Sequence, residues 1–416
     1  MSTTTKSNPV APAVPAGGAA EAAYSPRAVA EAFRRRLRSG ELGQLPVILG
    51  LIVIAVVFQS LNSNFLTAQN LYFLTLQMVS VGAIAVGIVL VLLLGEIDLS
   101  AGSVSGVAGA VLAVVTVRNG LPDWAGILCA LALAAAIGTL HGTILAWIGV
   151  PSFVVTLGGL MGWQGLQLWL LGPQGTINFP YNGFVGKIAH TNLTRPVGWL
   201  LAAVAVLLYL VSGLLDRRRR ARVQLPARPV AGLLARAVTL AVVVFGAVAI
   251  LNAYAGVPIA LVILVGLVVG FDLVLRRTRF GRSIFALGGN IEAARRAGIP
   301  VNAIRISVFA LASTLAAVGG ILAASRLYSV GQSSGGSDTL LLAIAAAVIG
   351  GTSLFGGRGS TYSALLGALV LGSITSGMLL LSLDTSVRYM ITAAVLVGAV
   401  VLDSLARRSR LSSGRE

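Results

Sequence analysis

Long apolar runs follow one another along this chain, with hardly a charged side chain inside any of them. They lie near residues 46–60, 74–94, 101–117, 124–148, 151–172, 196–215, 229–251, 257–275, 306–324, 338–355, 361–382 and 386–404. A helix needs about 20 mostly apolar residues to cross the hydrocarbon core, whereas a barrel strand needs about 10 that alternate with polar ones. These runs are continuous. They predict an all-α, polytopic transmembrane helical bundle of about 12 spans. The run at 101–117 is short for a crossing, and it holds Gly102, Gly106 and Gly109.

The polar stretches divide the rest. Residues 1–24 are mostly small or Pro and are expected to be disordered. No apolar core with a cleavage pattern precedes the first span, so no signal peptide is expected. Ser25 and Pro26 read as a helix start, and Val29, Phe33 and Leu37 share one face of the segment that follows. Residues 25–43 are therefore expected as a cytoplasmic helix lying on the membrane surface, with a partner contact as the other reading. The transmembrane domain is read as 44–405 and a basic tail as 406–416. The outer loop 173–195 is rich in Gly, Pro, Asn and aromatics. The inner loop 276–305 carries a complete helix signal: Asn290 as cap, Glu292, Ala293, Ala294, Arg295 and Arg296, then Gly298 as the stop. A short amphipathic helix between two spans is a docking device rather than a linker.

Composition agrees with a membrane location: 56% hydrophobic, 10% charged, mean hydropathy +0.92. The single cysteine, Cys129, excludes an intrachain disulfide. The net charge of +17 adds orientation. With the N-terminus inside and twelve crossings, twenty-four of the 30 Lys and Arg residues fall on the cytoplasmic side. Only Arg118, Lys187, Arg195, Arg326 and Arg388 fall outside, and Arg236 lies near the inner end of its helix. That bias is the positive-inside pattern and places both termini in the cytoplasm. The basic charge meets anionic membrane lipid; it is not a nucleic-acid surface, for which a basic face on a soluble module would be needed.

Several chemistries have no residues to carry them. There is no Gly-rich phosphate loop ending in Gly-Lys-Ser or Gly-Lys-Thr, and the only lysines are Lys6 and Lys187. His141 and His190 stand far apart without ligand spacing, so no metal site is expected. Ionisable groups at membrane depth are functional hypotheses. Glu96 and Asp98 lie in Gly95-Glu96-Ile97-Asp98-Leu99-Ser100, between the second and third runs. They read either as caps of the next helix at a short break near the cytoplasmic face, or as part of a gate or partner contact. Asp272 has the spacing to pair with Arg276, and His141 reads as a packed helix residue. Gly350 to Ser360 holds five glycines, among them Gly351, Gly356 and Gly357, together with Thr352 and Arg358, and predicts a tight cytoplasmic turn.

Taken in order, these stretches resemble one family. Thr278 to Asn290 with Gly288-Gly289, then Glu292-Ala293-Ala294 and Ala297-Gly298-Ile299, is similar to the cytoplasmic loop of bacterial sugar permeases of the ribose/xylose type, which are related to branched-chain amino-acid permeases. Ile97-Asp98-Leu99-Ser100, Pro151 to Gly158 and Gly350 to Gly359 agree in the same order, over about residues 80–403. The resemblance implies a permease subunit of an ATP-binding-cassette importer in the cell (inner) membrane. A second permease copy would complete the pore, a sugar-binding protein would deliver cargo outside, and a separate ATPase using ATP and Mg would dock on Gly289 to Gly298. This chain would bind no cofactor. Glu96, Asp98, Ser100, His141, Thr156 and Gln164 become the candidates for gate or pathway. Two positions depart from the family: His141-Gly142 stands where Asn-Gly is frequent, and Trp163-Gln164-Gly165 where Arg-Gly is frequent. The Arg-rich segment 216–228 between two added helices looks like the xylose-type branch. The contending readings are an ion-coupled secondary carrier, which would want buried charged pairs in mid-membrane, and a scaffold, which leaves the loop helix unexplained.

Overall fold

The computed structural model describes residues 44–223 and 230–412. The expected tail 1–24, the whole of the expected surface helix 25–43 and the last four residues of the basic tail lie outside them.

Each of the twelve apolar runs is a helix. In chain order they are α1 (Leu45–Leu61), α2 (Ala68–Leu93), α3 (Ala101–Ala113), α4 (Asp123–Thr143) and α5 (Ser152–Leu171). A short outer helix, α6 (Phe184–His190), precedes α7 (Arg195–Arg222), α8 (Val230–Tyr254) and α9 (Ile259–Arg277). Two more short helices, α10 (Arg279–Gly289) and α11 (Ile291–Arg296), lead into α12 (Val301–Leu327), α13 (Ser337–Ile349), α14 (Thr361–Leu380) and α15 (Thr385–Ser412). Among the described residues nine helices are long and apolar enough to cross a membrane; Leu45–Leu61 and Ser337–Ile349 are shorter. At about 1.5 Å per residue α13 reaches only about 20 Å. The span expected at 338–355 stops at Ile349 because Gly351 takes φ +103, which a continuing helix does not accommodate.

Two further boundaries differ from expectation. The Arg-rich segment is not all loop: α7 runs to Arg222, so Arg217 to Arg222 form its last turns. Arginine is a good helix former and is favoured where the helix dipole is negative. The basic tail likewise begins as helix, since α15 continues to Ser412.

Packing ranks the helices. Eighteen of the 26 residues of α2 are buried, so it is the central helix, wrapped by α12, α14, α13, α9 and α8. By contrast α7 and α8 pack on each other and expose most of their apolar side chains, as a peripheral hairpin facing lipid would. Close crossings rest on small residues: a Cβ on Gly138 of α4 would stand 2.2 Å from the Phe309 carbonyl oxygen of α12.

The two ends of the bundle are distinct. One end carries β1 (Thr176–Asn178) paired antiparallel with β4 (Ser329–Gly331), and β2 (Asn192–Leu193) with β3 (Val257–Pro258). With the N-terminus inside, as the charge bias expects, alternating crossings would put all four strands outside. The opposite end gathers α10, α11 and the turn at 350–360, which the charge bias assigns to the cytoplasm.

Candidate functional site

At the cytoplasmic end three glycine-bearing segments, far apart in sequence, meet backbone to backbone. Gly357 N donates to the Leu93 carbonyl at the end of α2, at 3.0 Å. Gly288, near the end of α10, lies against both: a Cβ there would be 1.8 Å from Leu93 O and 2.6 Å from Gly357 N. Gly356, at φ +84, would bring a Cβ within 2.7 Å of Gly288 O and 2.9 Å of Gly95 N. The inner loop, the glycine turn and the break after α2 thus form one junction. Only glycine permits three chains to approach so closely.

The loop outside this junction is two helices, where the sequence reading had one. Thr278 caps α10 by accepting from Gly281 N at 3.1 Å, and Gly281, Ile284 and Leu287 form its buried face. Asn290 caps α11 by accepting from Ala293 N at 2.9 Å, as expected. Gly298 ends it at φ +78 with open space around its α-carbon. Ala294 is buried and anchors α11 to the bundle, whereas Glu292, Ala293, Arg295 and Arg296 are exposed. Glu292 and Arg295 pair at 3.0 Å on that exposed face. Gly289 also has open space, Arg358 is exposed, and Thr352 is buried beneath the glycine turn. The Asp272–Arg276 pair forms as expected, at 2.8 Å.

The break itself is held by the next sequence motif. Ile97 N donates to Ser152 Oγ at 3.3 Å, and Leu99 N to Thr156 Oγ1 at 3.0 Å. Unsatisfied backbone groups are costly inside a membrane protein, so the hydroxyls at the start of α5 replace the helical partners that the break removes. Neither carboxylate accepts from an N–H within α3, whose N-cap residue Ser100 has no side-chain cap hydrogen bond. Asp98 Oδ1 accepts from Ser100 N at 2.8 Å and Ser100 Oγ at 2.6 Å, just before α3. Glu96 instead pairs with Arg305 of α12 at 2.8 Å, both side chains under a fifth exposed. A partly buried carboxylate is stabilised more by a full opposite charge than by a helix end.

From Asp98 a polar chain runs inward. Ser100 Oγ lies 3.4 Å from His141 Nδ1, and Trp163 Nε1 donates to His141 Nε2 at 3.0 Å. Because Nε2 accepts, a neutral His141 carries its proton on Nδ1, facing Ser100. The two places where the sequence departs from the family pattern are therefore one contact. Trp163→Phe leaves His141 Nε2 without its donor and is expected to cost about 1–3 kcal/mol. A lower thermal unfolding midpoint checks this, and an unchanged one would remove the contact. Gln164 is exposed on α5, away from this chain. Its near neighbour Gln167, which the sequence reading passed over, is buried and donates through Nε2 to the Gly331 and Ser334 carbonyls, each at 2.9 Å. Three residues of helical spacing separate the two glutamines, and only packing tells which faces inward.

Nothing in this arrangement positions a nucleophile or a base against a reacting atom. Its parts are an exposed helix, a close backbone junction and a clamped break after the central helix. A membrane bundle built this way is the permease of a transport system. The chain belongs to the family described as branched-chain amino acid transport system / permease component, whose pattern matches residues 70–400. It is 35% identical over 373 residues to the xylose transport system permease protein of Escherichia coli K12, covering 89% of this chain and 94% of that one. The corresponding protein of Haemophilus influenzae is 35% identical, covering 86% and 96%. The ribose import permease protein of Escherichia coli K12 is 32% identical, covering 89% and 97%. No solved structure matches the chain.

Proposed function

We propose that this chain is the membrane subunit of an ATP-binding-cassette importer in the cell (inner) membrane, and that it translocates a monosaccharide, most simply a pentose such as xylose or ribose. The xylose and ribose permeases named above support the cargo class. The junction at Gly288 carries the mechanism. A separate cytoplasmic ATPase, using ATP and Mg, presses on α11; α10 passes the displacement to Leu93 and Gly357, and so to the clamped break and α3. A sugar-binding protein delivers the cargo outside, and this chain binds no cofactor. A second copy completes the pore, and the exposed face of α5 with Gly158 and Gly162 offers small residues for close approach. Under this reading Glu96, Asp98, Ser100, His141 and Thr156 form the hinge of the gate, and Gln164 faces the pathway or the second copy.

Sugar uptake into vesicles should persist when ion gradients are collapsed and stop without ATP; the reverse result points to an ion-coupled carrier and overturns the reading. Charge reversal of Arg295 and Arg296, or a bulky residue at Gly298, should abolish coupled transport while insertion stays intact. At Gly298 the strain comes from φ +78, about 1–2 kcal/mol for a residue with a Cβ. Normal uptake and co-purification with the ATPase after these changes would remove the docking assignment.

A further inference from the structure

The end of the bundle that carries the strands holds a partly open cavity of about 370 Å³, within the roughly 300–1,000 Å³ of small-molecule sites. Its walls come from α2, α12, α13 and α14, its floor from Ser105 and Gly109 of α3 against Gly320, and its rim from the loop after β4. Gln167 fixes that rim through the Gly331 and Ser334 carbonyls. We infer that this cavity is a binding site for the cargo within a single protomer, specific for a neutral polyhydroxyl compound and reached from the outer side.

The polar atoms left without partners specify the chemistry. Gln77 Oε1 and Arg326 Nε are buried, and neither has a hydrogen-bond partner among the described residues. Arg326 has no ion pair among them either. Buried polar groups left this way are costly unless a ligand or water meets them. One is an acceptor and the other a charged donor. A hydroxyl both donates and accepts, so adjacent hydroxyls of a sugar satisfy both atoms, with Ser80, Thr339 and Thr375 on the same walls for the remaining hydroxyls. An anion can only accept and leaves Gln77 Oε1 unmet. No Asp or Glu lines the cavity, so a free amino acid finds no partner for its ammonium group beside the Arg326 guanidinium. Met78, Val81, Leu342 and Leu371 supply apolar wall for the C–H faces of a sugar ring. Within a family described for branched-chain amino acids, the cavity therefore selects the other cargo class.

This inference rests on the sugar-importer reading, and its test separates the two. The purified full chain in lipid nanodiscs is assayed by equilibrium binding of radiolabelled D-xylose, with L-leucine as competitor, and the same variants are assayed for ATP-dependent uptake with the partner subunits. Expected are weak, millimolar binding of xylose, no competition by leucine, and about ten-fold weaker binding in Gln77→Leu and Arg326→Leu. Ala323→Phe, which fills the cavity, should abolish binding, and Arg326→Lys should keep part of it. Gel filtration and thermal unfolding identify any variant that has lost its fold, and Gln77→Leu then decides. Unchanged binding in Gln77→Leu and Ala323→Phe overturns the site. So does a wild-type chain that binds no sugar but retains anionic phospholipid in an Arg326-dependent manner. Normal wild-type uptake in either case leaves the importer reading standing; absence of any ATP-dependent sugar uptake removes that reading instead.

Discussion

Replacing Gly288 by valine is expected to abolish ATP-driven uptake and to lower the amount of folded protein in the membrane. The added Cβ would fall 1.8 Å from Leu93 O and 2.6 Å from Gly357 N, the two atoms that bond to each other at 3.0 Å. Both are backbone, so neither moves aside by a rotamer change. Overpacking of a core costs about 1–3 kcal/mol when side chains can give, and more when they cannot. Gly246→Ala, on the peripheral helix α8, is the internal control. It has nothing within 4 Å of its Cβ position and should transport close to wild type. Uptake and membrane abundance, measured together, separate a folding defect from a coupling defect. Wild-type uptake by Gly288→Val would mean that the three segments do not meet as described.

A second large effect is expected at the Glu96–Arg305 pair, which joins the break to α12. Removing one partner of a buried pair costs about 3–5 kcal/mol, because the other charge is left uncompensated. With both side chains 14–18% exposed, the lower end of that range applies. Glu96→Gln and Arg305→Gln should each lower the thermal unfolding midpoint and slow uptake. The double variant should be less damaged than the sum of the singles, because it leaves no lone charge. Strict additivity would show that the two residues do not interact. A charge-swapped pair should recover part of the stability and report whether the position needs a pair or a particular sign.

Both effects arise at residues whose importance was only half legible in the chain. Gly288, Gly356, Gly357 and Glu96 belong to motifs that stand out by composition. Their mutual contact does not, since Leu93, Gly288 and Gly357 are joined only when α2, α10 and the glycine turn are stacked. The same holds for the clamp on the break. Ser152 and Thr156 read as part of one motif and Ile97 and Leu99 as part of another, yet the first supplies the hydrogen bonds of the second. Thr278 and the spacing of Phe280, Ile284 and Leu287 fit helix α10, yet an Arg- and Gly-rich segment next to a span reads as loop. Nothing local tells the exposed Gln164 from the buried Gln167, because the helix is apolar all round.

By itself the sequence determined the membrane class, the helical character of all twelve apolar runs, the charge asymmetry, and the caps at Asn290 and Gly298. Those are properties of single segments: apolar length against bilayer thickness, cations against the insertion bias, and side-chain oxygens against free N–H groups. Tertiary structure decided which glycines are junctions, which carboxylate pairs with a distant arginine, and which polar side chains face a common cavity. In a chain that is hydrophobic nearly everywhere, water cannot sort the faces of a helix, so inside and outside are set by packing against neighbours alone.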